Sequence, residues 1–193
     1  MTLTSSILFL HVLSAVSLVA TSLLAPVMRA AILGAESLSA LRRWAGYART
    51  SARAGVVAGG VVLASGVYLA RGRWSEAWLV AAALLFGVNA VLALGIVDGA
   101  GLRLARLSAA RGVGPVCPSV DRLRRSRRSE RAGDAVLAND VALLFLMVVQ
   151  PKLTLTLAAI ALSIASALAA GALRRRSVST PRRERKAAVA PTS

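Results

Sequence analysis

The sequence is poor in the residues from which soluble catalytic and metal sites are built. It has 1 cysteine, Cys117, and 1 histidine, His11. A single cysteine excludes an internal disulfide and any CxxC redox or zinc motif, and a single histidine excludes a His cluster within one chain. Acidic residues are scarce as well, 8 against 24 basic ones. No glycine-rich phosphate loop, serine-nucleophile motif or HExxH spacing occurs. No reaction is specified, so the chain reads as non-enzymatic and requires no cofactor. The first ten residues contain no Lys or Arg. The positive start of a secretory signal peptide is therefore missing, and the first apolar block is expected to be a retained span.

What the sequence has instead is apolar length. Of its 193 residues, 56% are hydrophobic, against about 45–50% in soluble domains, and mean hydropathy is +0.67. The apolar residues lie in blocks long enough to cross a bilayer core of about 30 Å, which takes roughly 20 helical residues. Taken alone, a net charge of +16 would point to nucleic acid. The basic residues, however, lie between the apolar blocks and in the C-terminal tail, as they do in membrane proteins. Nucleic acid is therefore not expected as a partner. Arginine supplies 22 of the 24 basic residues and alanine is abundant, a composition in keeping with a GC-rich bacterial genome.

The expected architecture is all-α, a polytopic transmembrane bundle over residues 1–173 followed by a basic, disordered cytoplasmic tail, 174–193. Spans are read at about 7–28, 54–70, 77–97, 132–150 and 153–173. Pro26 falls near the end of the first span, where a break is tolerable. The stretch 35–53 is either a short interfacial helix or the start of the second span. Residues 102–111 could carry the third helix beyond the bilayer. Gly55 and Gly59 form a GxxxG pair, and Ala83, Gly87, Gly95 and Gly99 make a second small-residue stripe. Both are packing faces, on which a second copy of the chain could also assemble.

The apolar region 135–173 is too long for one span and is interrupted at Gln150, Pro151 and Lys152. It reads as one kinked helix, giving four spans, or as two helices, giving five. Counted along the chain, the connections carry five, two, nine and one basic residues, and the tail seven. These alternate high and low only with five spans, the N-terminus outside and the C-terminus in the cytoplasm of a bacterial plasma membrane. An aspartate near a helix centre costs about 2.5–3.5 kcal/mol on insertion, so Asp140 is expected to face the bundle interior.

The run LFLHVL at 8–13 and the run LMVVQPK at 146–152 resemble a bacterial family of predicted integral membrane proteins of unknown function, distantly similar to the membrane domain of copper-resistance D proteins. The resemblance covers roughly residues 3–152. It implies an LHV-type first helix and a fourth helix closing on a Met-x-x-Lys-Pro type motif, with no established activity. Here Gln150 precedes Pro151 and the lysine follows at 152, so a role for a lysine before the proline is not carried over.

Polar groups inside the spans are the candidates for function: His11, Asn89, Asn139 and Asp140, with Met147 at a depth similar to His11. His11 reads as an interhelical hydrogen bond, or as a proton carrier or a copper or haem ligand paired with Met147. Asp140 reads as a polar clasp between helices or as part of a proton or ion path with Asn89. The run Arg122, Arg124, Arg125, Arg127, Arg128 and Arg131 reads first as a topology determinant, and also as a surface for anionic lipid.

Overall fold

A computed structural model describes residues 2–110 and 114–187, except for the side chains of 170, 171 and 173–187. Helix α1 covers Leu3–Gly34 and α2 Leu38–Leu69. The third crossing is one continuous rod in three parts: α3 (Ala77–Ala90), a π-helical segment (Val91–Asp98) and α4 (Gly99–Ala109). A short α5 (Pro118–Arg124) precedes α6 (Arg127–Val149) and α7 (Leu153–Ala187). Four helical stretches are long and apolar enough to cross a membrane: Leu3–Gly34, Leu38–Leu69, Ala77–Ala109 and Pro118–Val149. A fifth, shorter apolar stretch, Leu153–Ala169, packs with them. The protein is an all-helical membrane bundle, and among the described residues there is no strand beyond a single bridge between Ser37 and Pro115.

Its outer surface is apolar to an extent that water would not support. Val148 is 79% exposed and Val91 71%, in a belt that runs over most of the long helices and has lipid as its natural solvent.

Several boundaries differ from the sequence reading in an instructive way. Pro26 lies inside α1 and does not end it. Proline removes one N–H and therefore one helical bond, a loss that a long packed membrane helix absorbs. Residues 38–53 are the start of α2, not a separate interfacial helix. The third helix does run on past the span as α4. The apolar region after 132 is divided into two helices, because Gln150 adopts a left-handed conformation (φ 48°) and ends α6. Thr156 then ties the first turn of α7, its hydroxyl donating to the carbonyls of Pro151 and Lys152. Helix α7 continues past Leu173 to Ala187, into what was read as tail, while 188–193 lie outside the described residues.

Two hairpins build the bundle. In the first, α1 and α2 run antiparallel with a register fixed by close approaches: Thr21 against Gly55, Leu18 against Gly59, and His11 against Gly66. A Cβ on Gly55 would lie 3.0 Å from Thr21 Oγ1, and one on Gly59 would meet Phe86 of α3 at 3.7 Å and Leu18 of α1 at 3.9 Å. The GxxxG face of α2 is thus spent on α1 and α3 within the bundle. The other stripe behaves differently. Cβ atoms at Gly87, Gly95 and Gly99 would meet nothing within 4 Å, so no neighbour within the described chain covers it. In the second hairpin α6 folds back on α7, and both pack on α3 through a core of Trp78, Ala81, Ala82, Leu85, Ala142 and Leu146.

The two ends of the bundle are chemically distinct. At one end Arg73 forms an ion pair with Glu76, stacks over Trp78 and reaches Gln150 Oε1 at 3.3 Å. This links the α2–α3 turn to the α6–α7 turn, so both lie on the same side. At the opposite end Ala35, Leu38, Leu41, Leu104 and Val120 form a second small core. Over it, Arg124 donates to the carbonyls of Ile32 (3.0 Å) and Ala35 (2.7 Å), and Arg42 donates to Ser108 O at 3.0 Å. The last carbonyls of a helix have no partner within the helix, so Arg124 closes the end of α1.

Candidate functional site: polar clasps within the bundle

On α6, Val136, Asn139, Asp140 and Leu143 follow i, i+3, i+4, i+7 spacing and share one face. That face meets α3 at Asn89, which occupies the same inward stripe as Ala82 and Leu85. Asn89, Asn139 and Asp140 are all buried, Asp140 to 4% exposure.

Their hydrogen bonds form a chain across three helices. Asn89 Nδ2 donates to Asp140 Oδ1 at 2.7 Å and, more weakly, to Val136 O at 3.4 Å. Asn139 Nδ2 donates to Asn89 Oδ1 at 3.0 Å, and Ser163 Oγ on α7 donates to Asn139 Oδ1 at 2.6 Å. Residues 139 and 163 lie equally far from Pro151, as the antiparallel hairpin requires. Asn89 uses both amide hydrogens and its carbonyl, so nearly every polar valence in the cluster is taken up. Asp140 Oδ2 is fully buried and receives no hydrogen bond of normal geometry. The hydroxyl of Ser22 on α1 is placed beside this carboxyl.

His11 belongs to a separate clasp. Its Nδ1 lies 2.9 Å from Ser65 Oγ on α2. The Ser65 hydroxyl is directed at the Val61 carbonyl of its own helix. The ring nitrogen and the hydroxyl thus share one hydrogen bond that joins α1 to α2, its direction set by the imidazole tautomer. The close approach depends on Gly66, where a Cβ would stand 3.2 Å from His11 Cε1.

The structure thus brings together Asn89, Asn139 and Asp140 and pairs His11 with a serine. Met147 is 38% exposed and belongs to neither clasp. Sequence reasoning missed Ser65 and Ser163. A serine in an apolar run bonds its own helix readily, and only the hairpin register distinguishes these two from the rest. Among the described residues no group of three or more His, Cys, Asp and Glu is placed to hold a metal ion.

The arginine run divides. Arg124 is turned inward, its side chain 8% exposed, and bridges Asp121 to the end of α1. Arg125 pairs with the same aspartate, while Arg122, Arg127, Arg128 and Arg131 are exposed. A further tie at this end joins α1 to α6 through Arg29 and Glu130 at 3.4 Å. Compared with family models, curated proteins and solved structures, the chain matches none.

Proposed function

We propose that the protein is a non-enzymatic component of a bacterial plasma membrane, crossing it five times with the N-terminus outside and the C-terminus in the cytoplasm. The observation that carries this reading is the use made of polar groups within the spans. Asn89, Asn139, Asp140 and Ser163 are directed at one another, and His11 at Ser65, so they join helices. Interhelical hydrogen bonds of this kind are worth about 0.6–1.7 kcal/mol each in a membrane. A bundle held this way suits a part that assists transport or assembly.

The orientation is supported by the two ends. The end where Arg73 meets Gln150 carries Arg71, Arg73 and Lys152, whereas the Arg124 end gathers the basic connections 29–53 and 98–131. The positive-inside rule puts the second in the cytoplasm. The lone Cys117 is a native probe of this orientation. In intact cells a membrane-impermeant maleimide should leave Cys117 unlabelled and should label Ser75→Cys in a Cys117→Ala background. The reverse pattern would overturn the orientation.

A second reading has two observations in its favour: a buried carboxyl at Asp140 and an imidazole at His11, both inside the spans. It makes the chain a small transporter or a copper- or haem-associated protein, as the family resemblance would suit. Its signature is proton or cation flux in vesicles that Asp140→Asn abolishes, or a Soret band or bound copper that His11→Ala removes. A colourless, metal-free preparation with no flux that Asp140→Asn alters leaves the first reading standing.

A further inference from the structure

At the Arg124 end, α4 and α5 enclose an open cavity of about 620 Å³. Arg103, Arg106 and Leu107 contribute from one face of α4, at i, i+3, i+4 spacing. Ser119, Arg122 and Leu123 of α5 face them, with Ser126 just beyond. Three arginines and two serines thus border one space whose surface is mostly apolar, supplied by the arginine stems and the two leucines. Among the described residues no carboxylate lines it.

The charge is uncompensated for a structural reason. Asp121 is the only acid of α5, and Arg124 and Arg125 occupy it from the next turn. Among the described residues, the ion pairs at this end fall on Arg29, Arg124 and Arg125, and none falls on the three arginines of the cavity. Guanidinium forks with adjacent hydroxyls suit a tetrahedral oxyanion, above all phosphate.

Depth selects the kind of phosphate. Helix α4 continues the third crossing directly, so at 1.5 Å per residue Arg103 and Arg106 lie roughly 8 and 12 Å beyond Asp98 along the axis. The headgroup layer is on the order of 5–8 Å deep on each side of the hydrocarbon. Arg103 therefore stands at the outer edge of the headgroup layer and Arg106 just beyond it. From there their long side chains can reach back to a headgroup, and Leu107 and Leu123 give the cavity an apolar edge.

We propose that this cavity is a binding site for the phosphate of an anionic phospholipid, held by Arg103, Arg106 and Arg122 with Ser119 and Ser126. The membrane depth, though not the cavity, rests on the topology proposed above. Basic pockets on the cytoplasmic side of helical bundles are a recurrent way of holding acidic headgroups.

The test is a titration of the purified full-length protein in neutral detergent, where both ends are accessible and orientation has no influence. Native mass spectrometry would compare binding of short-chain phosphatidylglycerol, phosphatidylcholine of the same chain length, and inorganic phosphate. The expected result is a preference for phosphatidylglycerol. It should weaken about fivefold for each cavity arginine changed to glutamine, and on the order of 100-fold in the triple variant. The charge-matched variant Arg127→Gln/Arg128→Gln/Arg131→Gln, outside the cavity, should change it less than about threefold at 0.15 M salt. Equal losses in the two triple variants, or no preference between the lipids, would overturn the site. Phosphate that binds in the cavity and displaces phosphatidylglycerol at equal concentration would overturn the lipid as its source. These variants leave Cys117 in place, so failure here and failure of the topology are read separately.

Discussion

The carboxamide of Asn89 on α3 stands 2.7 Å from Oδ1 of Asp140 on α6, both buried among apolar side chains. The other oxygen of the same carboxyl is buried, with only the Ser22 hydroxyl beside the group. An ionised carboxylate there would carry a charge in hydrocarbon with no cation beside it. Asp140→Asn keeps the Oδ1 acceptor and removes the ionisable group, and it is expected to change thermal stability in detergent by less than about 1 kcal/mol. Asp140→Ala leaves the Asn89 donor buried and unmet and should cost about 1–3 kcal/mol. Equal losses in the two variants would contradict the clasp.

Glycines of the same type should respond differently to alanine according to what they face. At Gly66 the new methyl would press on His11 Cε1 at 3.2 Å, and the ring is held in place by Ser65. Overpacking of this kind costs about 1–3 kcal/mol. At Gly60 a methyl meets nothing within 4 Å, and alanine should be neutral or up to about 1 kcal/mol stabilising through helix propensity. Paired melting curves of the two variants decide it.

Arg124 holds the end of α1 with two carbonyl bonds while its other edge grips Asp121. A lysine cannot reproduce that fork. Arg124→Lys is expected to cost about 1.5–3 kcal/mol and to open the α1–α2 turn to proteases. Arg125→Lys, on the exposed side of the same aspartate, should do neither.

At the opposite end, the hydrogen bond from Arg73 and then that from Trp78 hold the Glu76 carboxyl below its ordinary value of 4.5. A depressed acid stabilises the fold fully above its ordinary pKa and loses that contribution as pH falls through the lowered value. Indole emission should therefore change in acid, below pH 4.5, in the native chain. In Glu76→Gln that change should disappear, and if it persists unchanged Glu76 is not its source.

Much of this fold was legible in the sequence, because membrane physics leaves little choice. Runs of about 20 apolar residues must be helices, and the interruption at Gln150 to Lys152 separates α6 from α7. Asp140 was expected to face inward because a lipid-facing aspartate is too costly, and it does. What could not be read was register. Nothing in one dimension says that Ser163 meets Asn139, that Ser65 meets His11, or that Gly55 is spent on α1 while Gly95 stays open. Nor could residue type alone divide the arginines. Arg124 and Arg122 are two positions apart, yet one seals a helix end and the other faces a cavity.

The central claim is that the intramembrane polar groups couple helices. A double-mutant cycle of Asn89→Ala and Asp140→Ala, read by unfolding of the full chain in detergent, tests it most directly. The account predicts a coupling of about 0.6–1.7 kcal/mol between the two positions. Losses that add to within about 0.3 kcal/mol would contradict it.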